Sequence, residues 1–306
     1  MSAITDGATA LAESFAEFGS AVAAVDEGIQ GQVTTLTNTV SNIALVRGLF
    51  NALVINATGS SAGVNITALE MTLKDGAGHV VVISNVNVNA ATKPAGQAGT
   101  GAGSLDTGNF ASNTWYAVYV AYSATLAEAT AILSLNSTAP ALPSGYTFYT
   151  RVGWIRTDGT ANAFPLSFTQ KGAQARYDVR PGTNVTALPI IASGLAGDCT
   201  IPTWVPLPWA AFAPPTTIDL KMLTGSNGNA CTVMAAPNPN FGAWNSISNL
   251  PPIMHSNVGS YLFTDDDVTV ESANIYWASN AGAQPPTPGT AGNSGILCIL
   301  GWTDNI

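Results

Sequence analysis

Positive charge is the scarcest property of this chain. All nine Lys and Arg residues fall between Arg47 and Lys221, so both ends are anionic or neutral, and the net charge is −9 over 306 residues. A nucleic-acid partner requires a basic face to neutralise phosphates, and no such face is available. Polybasic attachment to an anionic membrane fails for the same reason. Charge of either sign is also sparse, at 9% of residues against roughly 25% in an ordinary soluble domain. Thr, Ser, Asn, Gly and Ala must therefore supply most of the outer surface, while a mean hydropathy of +0.24 points to apolar area hidden between subunits. Apolar runs are interrupted by Pro, Gly, Arg47 and Glu128 before reaching the about 18 residues of a membrane span. The N-terminus lacks the cationic n-region and compact apolar core of a secretion signal.

Three cysteines, Cys199, Cys231 and Cys298, are an odd number at spacings foreign to zinc sites. They read as reduced core residues. The two histidines, His79 and His255, stand far apart. No HExxH, P-loop, paired CxxC or nucleophile elbow is present, so neither a cofactor nor catalysis is expected. A glycosidase needs two carboxyl groups flanking one bond. The only acidic cluster near the C-terminus is Asp265, Asp266 and Asp267, whose side chains would alternate in an extended segment. It reads as a solvated turn before a strand from Val268 to Ile275, with a calcium site on Asp265 and Asp267 as the alternative.

What the chain does have is a helical seam. Leu11, Phe15, Phe18, Val22, Val25 and Ile29 step by 4, 3, 4, 3 and 4, and Val33, Leu36, Val40 and Ile43 resume with 3, 4 and 3. This is heptad spacing. The two consecutive steps of four around Ile29 form a stutter that relaxes a left-handed supercoil. Gly28 and Gly31 flank it, each costing about 1 kcal/mol relative to Ala, so a continuous rod and a pair of shorter helices both fit the pattern. An isolated stripe is buried most cheaply against copies of itself. Residues 1–48 are therefore expected to be an oligomerisation stalk that also attaches the molecule to its neighbours.

Beyond Arg47 the period collapses to short alternating or fully apolar runs punctuated by Gly, Pro and Asn, which is how strands and turns read. Asp75-Gly76 and Asp158-Gly159 mark turns. The Gly99, Gly101, Gly103 run lacks nucleotide-loop spacing and reads as a flexible connection. The fold class is thus mainly β with an N-terminal α-helical, coiled-coil-like stalk and two β-sandwich or jelly-roll-like domains, 49–180 and 187–306. The strand from Gly295 to Trp302 is apolar enough to be central or subunit-buried.

Within the first β domain, WYAVYVAY (115–122) and TAILSL (130–135) precede a run with Pro143-Ser-Gly-Tyr146, Arg151-Val-Gly153, Ile155-Arg-Thr-Asp-Gly159 and Phe168-Thr-Gln170. This succession resembles a β module of tail fibre and related virion-surface proteins of tailed bacteriophages, found downstream of a helical trimeric stem. The resemblance covers roughly residues 105–180, about a quarter of the chain. It implies a structural role in the virion, assembled in the bacterial cytoplasm: a homotrimer joined to tail, portal or capsid components. A tail fibre with a distal C-terminal domain is the leading reading. A head fibre or capsid decoration protein, and more remotely a polysaccharide-degrading enzyme, are the alternatives. Aromatic rings beside amides and hydroxyls suit sugars, so Trp244, Asn245, Tyr276, Trp277 and Asn280 are the candidate contacts to a host-surface glycan.

Overall fold

The computed structural model describes residues 2–43, 49–227, 231–257, 263–281 and 294–306. Helix α1 (Ser2–Ile43) runs without a break through Gly28 and Gly31, so of the two forms compatible with the sequence the rod is the one adopted. At 1.5 Å per residue it is roughly 63 Å long. Residues 44–48 of the expected stalk lie outside the described residues. No described helix is long and apolar enough to cross a membrane.

The remainder is β. The first half carries β1 (Phe50–Asn51), β2 (Val54–Ala57), β3 (Gly63–Lys74), β4 (Val80–Ala91), β5 (Trp115–Ser123), β6 (Glu128–Ser134), β7 (Phe148–Arg156), β8 (Phe168–Lys171) and β9 (Gln174–Tyr177). The second half carries β10 (Ile190–Gly194), β11 (Val205–Pro208), β12 (Thr217–Asn227), β13 (Cys231–Ala236), β14 (Ile253–Asn257), β15 (Phe263–Thr269), β16 (Asn274–Ala281) and β17 (Ser294–Asp304). One sheet follows the order β15-β12-β17-β9-β8-β2-β3-β7-β5-β6, with β1 and β4 on β3 and β10 on β17, and a smaller sheet is β11-β16-β13-β14. The strand pairs are antiparallel.

The large sheet passes straight across the interval 180–187. β17 pairs with β9, Trp302 opposite Ala175, so the last strand of the second half is laid into the sheet of the first. Gly301 makes that approach possible, because a Cβ there would fall 2.0 Å from the Ala175 carbonyl oxygen. Trp302 then sits edge-on to Trp115 at 5.3 Å and to Tyr177 at 5.5 Å, and stacks on Phe168 at 6.2 Å. A single apolar core runs from Ile55 and Leu73 through Trp302 to Val233 and Trp277. As expected, β17 is central, flanked by β12 and β9.

β5 explains why WYAVYVAY is apolar at nearly every position. Tyr116, Val118 and Val120 enter the main core, while Ala117, Tyr119 and Ala121 enter a second cluster with Ile132, Tyr146 and Trp154. Strand alternation sends successive residues to opposite faces, and here both faces are covered.

The β3–β4 hairpin changes phase along its length. Val64, Ile66 and Ala68 are buried in β3, then Met71 and Leu73; Leu69 and Glu70 are both exposed at the switch. Opposite it, Asn85 takes a left-handed φ of 54°. The hairpin closes through Asp75, whose carboxylate accepts the amides of Ala77 and His79 at 2.9 and 2.8 Å and bonds the His79 ring at 2.7 Å. The expected Asp-Gly turn is therefore present as a longer, side-chain-capped loop.

Three expectations need correction. The glycine-rich segment 93–106 is fastened rather than free: Gly103 donates to the Ala131 carbonyl, and Ser104 and Leu105 are buried. Asp158 follows the end of β7 at Arg156, but no strand comes directly after it. Its carboxylate instead accepts Thr160 and the Asn184 side chain. Asp265, Asp266 and Asp267 lie within β15 rather than in a turn, paired with Leu223, Met222 and Lys221 of β12. Lys221 Nζ holds the Asp267 carboxylate at 3.0 and 2.8 Å. Among the described residues no group of three His, Cys, Asp or Glu is placed to hold a metal ion.

A buried ion pair fastens the end of β17 to β7. Arg151 Nη1 donates to Asp304 Oδ2 at 2.5 Å, and Arg151 Nη2 donates to the Asn305 carbonyl. Thr216 donates to the other Asp304 oxygen and accepts the Trp154 indole N–H at 2.7 Å. Burial raises the Asp304 carboxyl above its usual pKa, against the downward pull of Arg151, Thr216 and the Asn305 amide. Removing the cation strands this carboxylate, which has no exposed side-chain surface. We expect Arg151→Leu to cost about 3–5 kcal/mol in urea unfolding, and a change below about 1 kcal/mol would show that the pair is not structural.

Candidate functional site

Two features offer surfaces for function, the helical seam and a polar cleft. On α1, Phe15, Phe18, Val22, Val25, Ile29 and Val33 are all exposed in the single chain, by 51 to 70%. Leu11, Leu36, Val40 and Ile43 lie on the same helix, with side chains outside the described ones. In the register that puts Phe15, Val22 and Ile29 at position a, the acids Glu13, Glu17, Asp26 and Glu27 fall at f, c, e and f. No charge interrupts the stripe from Phe15 to Ile29.

The residues expected to meet a glycan do not form one surface. Trp277 is buried in the main core, and Asn280 is buried with its side-chain oxygen accepting the Cys199 amide. Both are structural, which corrects their assignment as contacts. Alternation along β16 puts Tyr276, Ala278 and Asn280 on the opposite face from Trp277. There Trp244 and Trp204 pack over Cys199, Met234 and Ala278, and the Trp244 amide donates to the Cys199 carbonyl at 3.1 Å. Trp244 is thus a half-buried cover for the small sheet, Tyr276 is half-buried, and Asn245 alone of the five is exposed.

The thiols of Cys199, Cys231 and Cys298 are free and buried. Burial raises all three, Cys199 to about 12, so none is poised as a nucleophile.

Sequence reasoning missed the cleft, because its walls come from segments far apart in the chain. It has a volume of about 370 Å³ and lies between the end of β3, the outer side of β7 and the segment after β17. Thr72, Lys74 and Asp75 line it together with Thr138, Thr150, Arg151 and Asn305. Tyr119 and Tyr149 meet edge-to-face at 6.1 Å in its wall, and the Tyr119 hydroxyl donates to the Asn136 carbonyl at 2.9 Å. Burial lifts that phenol well above its ordinary range despite nearby Arg151, so it remains a neutral donor. The hydrogen bonds from His79 hold Asp75 below the usual carboxylate value. The arrangement offers fixed donors and acceptors around aromatic surface.

No protein-family model matches the chain, and comparison with curated proteins gives no match.

Outside both features, His255 is buried in β14 and its Nε2 has no hydrogen-bond partner among the described residues. Burial lowers its pKa, so the native ring stays neutral where the unfolded one takes up a proton. Stability is then retained above the ordinary imidazole value and lost as pH falls through it. Thermal midpoints should drop between about pH 7.5 and 5.5, and His255→Leu should flatten that slope; an unaltered slope would assign the acid sensitivity elsewhere.

Proposed function

We propose that this chain is a structural virion protein of a tailed bacteriophage, a homotrimeric tail fibre assembled through α1. One observation carries the reading: an unbroken helix presents six large apolar side chains at heptad spacing, all exposed in the isolated chain. Burying a side chain of this size is worth about 1.5–3 kcal/mol, and copies of the same stripe are the closest matching surface. The placement of Glu13, Glu17 and Glu27 fits a helical bundle, since c and f positions face away from the partner helices, while Asp26 at e flanks the seam. The count of three, and the virion itself, come from the resemblance of residues 105–180 to phage fibre modules.

In this reading α1 is a coiled-coil stalk that also docks to other virion components, and the β body, built of sandwich or jelly-roll-like layers, is the spacer and tip. The chain acts without catalysis or cofactor. Its low charge is consistent with surface shared between copies. Host-surface glycan contact at the C-terminal half would fall to Asn245 and the accessible parts of Trp244 and Tyr276.

Light scattering on the purified full chain tests the assembly. A trimer mass is expected, and a monomer at micromolar concentration would remove the basis of the reading. Val22→Asp places a carboxylate in every copy of the seam, a cost of several kcal/mol per assembly. The expected product is a folded monomer by size-exclusion chromatography and circular dichroism, whereas an unchanged oligomer would move the interface off this face.

A further inference from the structure

The cleft takes no part in the seam and contains none of the residues expected to meet a glycan. Its chemistry is nevertheless specific. Seven of its twelve lining residues carry a hydroxyl, in a chain where ionic groups are rare. Arg151 is already committed to Asp304 and to the Asn305 carbonyl, so its charge is cancelled. The lining otherwise holds one cationic residue, Lys74, and one acidic residue, Asp75, adjacent in sequence. The Lys74 side chain makes no ion pair or hydrogen bond among the described residues, and Asp75 is held ionised by His79 and two backbone amides. Between these polar walls Tyr149 offers a half-buried ring, braced edge-on by Tyr119.

We infer that this cleft binds a neutral saccharide unit. Vicinal hydroxyls match a lining that can donate from Lys74 and accept at Asp75. Thr138 and Thr150 can do either, and an apolar sugar face can rest on Tyr149. The balanced charge of the lining disfavours a strongly anionic ligand, which would meet Asp75 with no uncommitted cation except Lys74. A volume of about 370 Å³ lies at the small end of ligand pockets, which span about 300–1,000 Å³. The occupant is therefore a short sugar or the end of a longer glycan. The inference goes beyond the virion reading and does not depend on the seam.

Saturation-transfer NMR on the full chain tests it, using methyl glycosides of glucose, galactose, mannose and N-acetylglucosamine, with lactose, maltose and cellobiose, and galacturonic acid as the anionic comparison. At least one neutral sugar should receive saturation at millimolar concentration. Tyr149→Ala and, at the half-buried end of β3, Lys74→Ala should each weaken that sugar at least about tenfold, as expected for loss of a stacking face or a charged hydrogen bond. The mass by light scattering should not change, which separates failure of the cleft from failure of the trimer. The inference is overturned if no neutral sugar binds, if Lys74→Ala binds as the parent does, or if galacturonic acid binds more tightly than the methyl galactoside.

Discussion

β17 is hydrogen-bonded to β12 on one side and to β9 on the other, and its last residues are clasped to β7 through Arg151 and Asp304. Almost everything else in the β body is arranged around that insertion. Trp302, near the strand's end, is the ring against which Trp115, Phe168 and Tyr177 pack, so residues from both halves of the chain share one core. The ion pair is an expensive way to fasten it, because Asp304 is desolvated and its pKa is raised. Pairs of this kind are weak evidence for net stability but fix geometry firmly. Here the geometry in question is the junction of the two halves, and the cleft lies directly over it.

Much of the architecture was legible from the order of the residues, and the reasons are local. Heptad spacing from Leu11 to Ile43 identifies α1, and propensity alone could not decide whether Gly28 and Gly31 would interrupt it. The helix tolerates both. The apolar run in β5 and the Asp75 turn were readable because alternation and turn chemistry act over a few residues. The division into two β domains at 180–187 followed from a change in composition, but composition carries no information about strand pairing. The β9–β17 ladder joins positions more than a hundred residues apart, and only tertiary contact reveals it.

The candidate sites follow the same logic. Tryptophan beside asparagine suggests a sugar surface, yet in Trp277 and Asn280 the pairing serves burial: the amide satisfies the Cys199 backbone and the ring fills the core. Asp265, Asp266 and Asp267 looked like a turn because three acids rarely share a strand, but Lys221 on the neighbouring strand neutralises Asp267. The cleft had no signature at all. Lys74, Thr138, Tyr149 and Asn305 are unremarkable where they stand, and they meet because the β3–β7 contact and the β17 clasp bring them together.

The switch at Leu69 and Asn85 has a consequence for that meeting. Had β3 kept one phase throughout, Met71 and Leu73 would point to solvent while Thr72 and Lys74 entered the core. A single irregular step turns the far half of the ribbon over, so that its greasy edge stays inside and an amine lines the hollow. The chemistry of that hollow is thus tied to an irregular step, Leu69 and Glu70 opposite Asn85, that is not part of its lining.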